Sequence, residues 1–238
     1  MALLSVNVNK IALLRNSRGA DFPNVLKVSQ DLIKCGAHGI TIHPRPDERH
    51  AKYADAYTLK ENIDVELNIE GNPNERFLDM VCEVKPNQCT LVPDAPDAIT
   101  SNAGWDCKNN LDYLKPIIAR LKDNGIRSSI FLDPDPSQVP FAAQTGTDRI
   151  ELYTEFFATS YGTDKQDEVI AKYKTTAAAA VEHGLGVNAG HDLSLENLKF
   201  FDENIDGLLE VSIGHALVVE MLYKGMDQTI LEYISILS

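Results

Sequence analysis

The chain has 238 residues, of which 44% are hydrophobic and 24% are charged, a composition typical of a globular protein. This excludes disordered, collagen-like and low-complexity proteins, and the length favours a single domain over residues 1–238. The 22 Lys and Arg against 35 Asp and Glu give a net charge of -13, which would repel a polyphosphate and argues against nucleic acid as a partner. Residues 1–50 are the exception, with seven basic and four acidic residues, so we expect a local site for a small anion there.

The cysteines and the N-terminus indicate a cytoplasmic protein. The cysteines have no spacing that suits zinc and we expect them to be reduced thiols: Cys35, Cys82, Cys89 and Cys107. The apolar start of the chain is interrupted at Asn7 and Asn9, well short of a signal peptide. Since no apolar window is long enough to span a bilayer, we also expect no membrane contact.

Short apolar runs rich in β-branched residues recur along the whole chain and predict eight strands. In chain order they cover residues 3–9, 39–44, 65–70, 89–94, 127–133, 149–154, 186–191 and 208–214. Between them lie segments with helical spacing, such as Leu111, Leu114, Ile118 and Leu121. Several of these predicted helices end at a glycine, where we expect a left-handed cap: Gly36, Gly125, Gly146, Gly184 and Gly207.

The C-terminal tail, residues 216–237, predicts a helix interrupted at Gly225, with a helical extension from about 226. Its apolar residues could serve an interface with another subunit: Ile230, Leu231, Ile234, Ile236 and Leu237.

Eight apolar strands separated by helices predict an α/β protein, a (β/α)8 TIM barrel in a single domain. Strands that are apolar throughout must be covered on both faces, which favours parallel pairing with helical crossovers. A doubly wound open sheet is the competing architecture, but it usually carries a glycine-rich phosphate turn after its first strand. The segment NVNKIALLRNSRG has no such turn.

In a TIM barrel the chemistry lies where strands end and the following loops begin. Polar residues at those positions are Asn7, Asn9, His43, Arg45, Glu70, Asp94, Thr100, Asp133, Glu151, His191, Gly214 and His215, with His50 in the loop after the second strand. Each single histidine is more often structural than catalytic. Glu70 and Glu151, however, lie within apolar runs, where an unpaired carboxylate is costly, so each must find a cation or raise its pKa. For Glu151 the nearest candidate cation is Arg149, two residues away on the same face.

Histidines and carboxyl groups together support either a metal site or metal-free general acid–base catalysis. The second is favoured, because the sequence has no His-x-His on the first strand and no His-Glu-x-x-His. The cations Lys10, Arg15, Arg18, Arg45 and Arg49 also suit phosphate oxygens better than a bound metal. At Gly214 and His215 a strand ends and a helix starts, which provides a second anion site. Two such regions around one acid–base set predict phosphorylated carbonyl substrates.

These residues resemble the pyridoxine 5'-phosphate synthase family of the deoxyxylulose-dependent route to vitamin B6. The resemblance is collinear over nearly the whole chain and is carried by VNVNKIALLRNSRG, GITIHPRPDERH, LNIEG, LVPDAPDAITSNAGWD, IELYT, VNAGH and SIGHA. It implies condensation of 3-amino-2-oxopropyl phosphate with 1-deoxy-D-xylulose 5-phosphate to pyridoxine 5'-phosphate, inorganic phosphate and water. It also implies a homo-oligomer, an octamer built from dimers, and neither a metal nor a cofactor.

The resemblance further implies a role for each matching residue. His43 and Glu70 match the proton acceptors, His191 the proton donor, and Glu151 a residue that stabilises the transition state. The aminoketone phosphate would be held by Asn7, Arg18, Asp192, Gly214 and His215, and the deoxyxylulose phosphate by Asn9, Lys10, Arg45, His50 and Thr100.

Two departures bear on this interpretation. Many family members have Asp-His at Asn9 and Lys10, and Gly at Asp192. We therefore keep two alternatives. One is a metal-dependent sugar-phosphate isomerase or epimerase that uses the same His and Glu side chains. The other is a barrel that binds a phosphorylated metabolite without turnover.

Overall fold

The computed structural model describes residues 1–94, 101 and 103–238. Within them, eight parallel strands close into a barrel in the order β1 to β8, with β8 paired to β1. The strands are β1 Leu3–Asn7, β2 Gly39–Ile42, β3 Glu66–Gly71, β4 Gln88–Leu91, β5 Arg127–Leu132, β6 Arg149–Tyr153, β7 Gly186–Gly190 and β8 Leu208–Ile213. The prediction of a single-domain (β/α)8 barrel is confirmed.

The helices of the described residues lie in the connections between strands and after β8. They are α1 Asn9–Asn16, α2 Val25–Lys34, α3 Tyr53–Asn62, α4 Glu75–Val84, α5 Leu111–Asp123, α6 Val139–Thr145, α7 Glu155–Ser160, α8 Gln166–Glu182, α9 Leu198–Asn204, α10 His215–Lys224 and α11 Met226–Leu237. None of these helices combines the length and the apolar character that crossing a membrane requires.

The strands are buried because helices cover the outside of the barrel and side chains fill the inside. All four residues of β2 and of β4 are buried. The helix α4 shows the pattern, since its buried apolar stripe includes Phe77, Met80 and Val81. The predicted glycine caps are confirmed, since Gly36, Gly125, Gly146, Gly184 and Gly207 all have positive φ.

The strands end earlier than the sequence predicts. β2 ends at Ile42 and β7 at Gly190, so His43 and His191 each follow a strand instead of ending it. The physical reason is that these polar residues leave the hydrogen-bonded ladder at the rim of the barrel, where their side chains line a cavity.

The C-terminal helix α11 packs on the barrel itself. It contacts β1, α2, α9 and α10, and Ile230, Tyr233 and Leu237 on it are almost completely buried. Among the residues predicted for a subunit interface, Leu231 is 56% exposed. Ile230 and Leu237 are buried within the chain and cannot contact another subunit. The prediction of an apolar interface there is wrong for these two residues, because the helical layer of the barrel needs them.

Two histidines have structural contacts away from the rim, as expected. His38 Nδ1 accepts a hydrogen bond of 3.1 Å from the backbone N–H of Leu4 at the start of the barrel. His183 follows α8, and its Nδ1 lies 2.9 Å from the carbonyl oxygen of Ala179, at the helix C-terminus.

Candidate active site

A cavity of about 440 Å³ opens at the C-terminal ends of the strands. All predicted site residues except two line it: Asn7, Asn9, Lys10, His43, Arg45, His50, Glu70, Glu151, His191, Asp192, Gly214 and His215. Arg18 is exposed and does not line the cavity, and Thr100 lies outside the described residues. The barrel therefore brings the predicted site residues of six strand ends together.

Glu70, on β3, has a side chain that is 13% exposed and has polar neighbours. Asn7 Nδ2 donates to its Oε2 at 3.3 Å, Ser212 Oγ donates to its Oε1 at 3.4 Å, and His43 Nδ1 lies 3.9 Å from Oε2. Burial raises the pKa of the Glu70 carboxyl to about 8, and the negative charge of Asp94 adds to the shift. With a pKa close to neutral pH, Glu70 can accept a proton from a substrate and give it up again.

Glu151, on β6, is 3% exposed. Burial, and then the neighbouring Glu70, raise its pKa to about 8. Thr90 Oγ1 lies 3.2 Å from Glu151 Oε2 and 3.2 Å from Asn68 Oδ1. Thr90 Oγ1 donates to Glu151 Oε2, a contact that favours the ionised carboxylate and lowers its pKa. Burial outweighs this contact, so the pKa of Glu151 stays raised.

The alternative of an ion pair between Glu151 and Arg149 is not what the structure has. Arg149 Nη1 donates to Asn188 Oδ1 at 3.0 Å and lies 3.5 Å from Glu210 Oε2. Glu151 is instead accommodated by Gly190 on the neighbouring strand, where an added Cβ would come within 2.6 Å of Glu151 Oε1.

His43 is a neutral imidazole. Burial, and then the positive charge of Arg45, hold its pKa well below the ordinary value of 6.5. Its backbone N–H donates to Asn9 Oδ1 at 2.9 Å, and the Asn9 N–H donates to Asn7 Oδ1 at 3.0 Å. These amide side chains join the ends of β1 and β2 and so fix where His43 enters the cavity.

One side of the cavity is cationic. Lys10 and His50 line it, and burial, together with the positive charges of Lys10 and Arg49, lowers the pKa of His50 to about 4. Arg45 Nη2 donates to Asp94 Oδ2 at 2.6 Å in a buried ion pair, and Ser101 Oγ donates to the same oxygen at 2.8 Å.

Arg15 does not take the phosphate-binding role that its charge suggested. Its Nη1 and Nη2 bind the two carboxylate oxygens of Asp55 at 2.5 and 2.9 Å. The guanidinium is thereby used to join α1 to α3 instead of facing the cavity.

The cavity is also lined by the N-terminus of α10, which starts at His215 directly after Gly214. The first N–H groups of a helix have no partner within the helix and point toward an anion. Gly214 also brings the backbone close to β1, since an added Cβ would lie 3.1 Å from Asn7 Cβ. This end of the cavity suits a phosphate group.

The described residues contain no group of three or more His, Cys, Asp or Glu arranged to hold a metal ion. The histidines and carboxyl groups are spread around the cavity wall. The arrangement can exchange protons with a ligand at several points, and it can hold an anion at Lys10 or at the start of α10.

Comparison with known proteins assigns the chain to a family. The family model described as "Pyridoxal phosphate biosynthesis protein PdxJ" matches residues 4–238. The chain is 58% identical over 233 residues to a pyridoxine 5'-phosphate synthase of Parabacteroides distasonis, covering 98% of each chain. It is 56% identical to one of Christiangramia forsetii, covering 100% of each.

The chain belongs to the PdxJ family. Among solved structures, it is similar to a tryptophan synthase α-subunit of Pyrococcus furiosus, with a TM-score of 0.66, 14% identity and 98% coverage of each chain. A phosphoribosylanthranilate isomerase of Thermotoga maritima gives a TM-score of 0.61 at 13% identity, covering 100% of this chain and 98% of that chain. At such identity the likeness shows the barrel fold alone.

Sequence reasoning missed five residues that line the cavity of this PdxJ member: Leu13, Val92, Ser101, Phe131 and Ser212. Ser212 had a usable signal, since it lies two residues before Gly214 on β8 and strand side chains alternate between faces. Ser101 and the three apolar residues have no comparable signal. A single Leu, Val or Phe in a sequence looks the same whether it lines a cavity or packs in the hydrophobic core.

Proposed function

We propose that this chain catalyses the condensation of 3-amino-2-oxopropyl phosphate with 1-deoxy-D-xylulose 5-phosphate, forming pyridoxine 5'-phosphate, inorganic phosphate and water. One observation carries the proposal: His43, Glu70, Glu151 and His191 line one cavity between a cationic wall and a helix N-terminus. Membership of the PdxJ family and relatives named pyridoxine 5'-phosphate synthase support the same reaction.

The reaction needs several proton transfers at one place. An amine must add to a ketone, water and phosphate must leave, and carbon acids must lose protons before the ring closes. Groups with separated pKa values can divide these steps. His43, with its lowered pKa, accepts protons, whereas Glu70 and Glu151, with raised pKa values, carry protons near neutral pH and can also return to the ionised form.

In this mechanism each residue keeps the role implied by the family pattern. His43 and Glu70 accept protons, and His191 donates one to a departing oxygen. Glu151 stabilises the transition state, since a protonated carboxyl in a buried place can donate a hydrogen bond to a developing negative charge. No hydride moves, so the mechanism calls for neither a nicotinamide nor a flavin, and none of its steps requires a metal.

The two phosphates would bind to two different sets of residues in the cavity. For the aminoketone phosphate we propose Asn7, Gly214, His215 and the backbone of Asp192, together with Arg18, which the family pattern implies although it does not line the cavity. For the deoxyxylulose phosphate we propose Asn9, Lys10, Arg45, His50 and Thr100. The N–H groups at the start of α10 support the first assignment, and the cationic wall of Lys10 and Arg45 supports the second.

Two further properties belong to the proposal. We infer that the protein works in the cytoplasm, as its reduced cysteines suggest. We also infer a homo-oligomer, an octamer built from dimers, from the family resemblance. Sedimentation at several protein concentrations would test the second point.

The direct test is to incubate the pure protein with both phosphates and to measure pyridoxine 5'-phosphate and released phosphate. Stoichiometric metal together with activity lost on chelation would favour the isomerase or epimerase instead. Thermal stabilisation by the phosphates without phosphate release would favour a barrel that only binds.

Glu70→Gln tests the base role within the same assay. Gln keeps the size of the side chain but cannot accept a proton, so kcat should fall by at least about 100-fold while KM for each substrate stays within about threefold. Equal losses in kcat and in substrate binding would contradict a base role.

A further inference from the structure

His191 and Asp192 form a pair at the rim of β7. Nδ1 of the imidazole lies 2.7 Å from Asp192 Oδ2, and both side chains are about one-third exposed. A carboxylate can only accept a hydrogen bond, so Nδ1 must carry the proton of this contact. In the neutral ring the other nitrogen, Nε2, is then the acceptor.

The orientation of the imidazole is fixed from other directions as well. The ring packs edge-on against Tyr153, with ring centres 5.5 Å apart and an interplanar angle of 79°. The backbone N–H of His191 donates to the carbonyl oxygen of Ser212 at 3.3 Å, and its φ of 95° lies in the region that non-glycine residues rarely adopt. A residue held in such a conformation has a side-chain direction that the surroundings determine.

The backbone of Asp192 is anchored on both sides. Its N–H donates to Thr154 Oγ1 at 3.0 Å, and its carbonyl oxygen accepts from Asn197 Nδ2 at 3.2 Å. Thr154 Oγ1 in turn donates to the carbonyl oxygen of Gly190 at 2.6 Å. These hydrogen bonds fix the backbone of Asp192, so its carboxylate is held in position next to the imidazole of His191.

We propose that Asp192 is a positioning residue for His191. Its carboxylate accepts from Nδ1–H, selects the tautomer that exchanges protons through Nε2, and stabilises the imidazolium from which His191 donates. In the donating step the Nε2 proton passes to the departing oxygen of the substrate, which leaves as water, and the ring remains as the neutral Nδ1–H form. This inference rests on the proposed function, because it assigns His191 the donor role.

The pairing also resolves an electrostatic difficulty. A carboxylate beside a substrate phosphate would repel it, yet Asp192 lines the same cavity as the N-terminus of α10. When His191 is in the imidazolium form from which it donates, its positive charge balances the negative charge of the Asp192 carboxylate. The Asp192 side chain thus has a role in binding His191, and this role is separate from any contact that the backbone at position 192 makes with the substrate.

The test compares Asp192→Asn, Asp192→Glu and a control, Glu196→Gln, which removes one exposed negative charge from the same loop. We expect Asp192→Asn to lower kcat at least about tenfold while KM for each substrate stays within about twofold. Asp192→Glu should recover part of the loss, since it restores a carboxylate. Glu196→Gln should match the wild type.

A second readout needs no substrate. In protein labelled with ¹⁵N in the histidine rings, the His191 signal, identified by its loss in His191→Gln, should show the Nδ1–H form in the wild type. It should move toward Nε2–H in Asp192→Asn and stay unchanged in Glu196→Gln.

Two results would overturn the inference. One is an Asp192→Asn protein with an unchanged His191 spectrum. The other is a raised KM for the aminoketone phosphate with unchanged kcat, which would make Asp192 a substrate contact. A wild-type protein that forms no pyridoxine 5'-phosphate, yet shows the expected spectral change, would refute the proposed function and still support the pairing of Asp192 with His191.

Discussion

Replacing Glu151 with Gln should change how the stability of this protein depends on pH. The Glu151 carboxyl is 3% exposed, and its pKa in the folded chain is about 8, whereas the ordinary value is 4.5. Between these two pH values the folded chain keeps the proton while the unfolded chain has lost it. The free energy of unfolding of the wild type must therefore fall as pH rises through this interval.

The size of the effect follows from the pKa difference. Each pH unit over which one extra proton is held by the folded state costs about 1.4 kcal/mol, so the loss between pH 4.5 and 8 amounts to up to about 5 kcal/mol. Gln has no proton to lose. Near pH 5 the variant should lie within about 1 kcal/mol of the wild type, because an amide can also hydrogen-bond to Thr90. At pH 8 the variant should be the more stable protein by several kcal/mol.

Urea unfolding followed by circular dichroism at pH 5, 6, 7 and 8, at one ionic strength and one protein concentration, measures this difference. Glu196→Gln is the control, since Glu196 is exposed and its substitution should leave the pH dependence unchanged. Parallel curves for the wild type and Glu151→Gln would refute the reasoning, because they would show that Glu151 is already ionised in the folded protein at neutral pH.

Two further variants test the geometry of the site. Gly190→Ala should lower the free energy of unfolding by about 1–3 kcal/mol and reduce turnover, since its methyl group would lie 2.6 Å from Glu151 Oε1 and 2.8 Å from the carbonyl oxygen of Ser212; wild-type values in urea unfolding and product assays would contradict this. Lys10→Ala should raise KM for the deoxyxylulose phosphate by about tenfold, because a cation on the cavity wall is lost. Lys27→Ala, on the exposed side of α2, is its control, and unchanged kinetic constants in Lys10→Ala would exclude this role for Lys10.

Much of the barrel was predictable because local patterns and the global fold agree. An apolar run in the sequence predicts each strand. Each of the five predicted glycine caps has the positive φ that ends a helix before the next strand. Since all strands of such a barrel run in one direction, a polar residue after a strand must lie at the same rim as the others. His43, Glu70 and His191 could therefore be grouped although they lie far apart in the chain.

The ion-pair partner of each charged side chain could not be predicted, because it depends on distances between helices and strands. Arg15 and Arg45 look equally suited to phosphate in the sequence, yet Arg15 is bound by Asp55 on α3 and Arg45 by Asp94 after β4. Arg149 is two residues from Glu151 but pairs with Glu210, 61 residues further along the chain. Which cation meets which carboxylate is decided by the packing of the barrel.

The order of apolar, polar and glycine residues was thus sufficient to determine eight strands, their covering helices and the rim where reactive side chains gather. Burial patterns are local and repeat along the chain, so a sequence displays them directly. Only the tertiary structure decided which side chains are hydrogen-bonded, which carboxyl groups keep their protons, and that Asp192 lies on the imidazole of His191. These properties depend on the dielectric surroundings and on contacts of a few ångströms, which exist only once the barrel has closed.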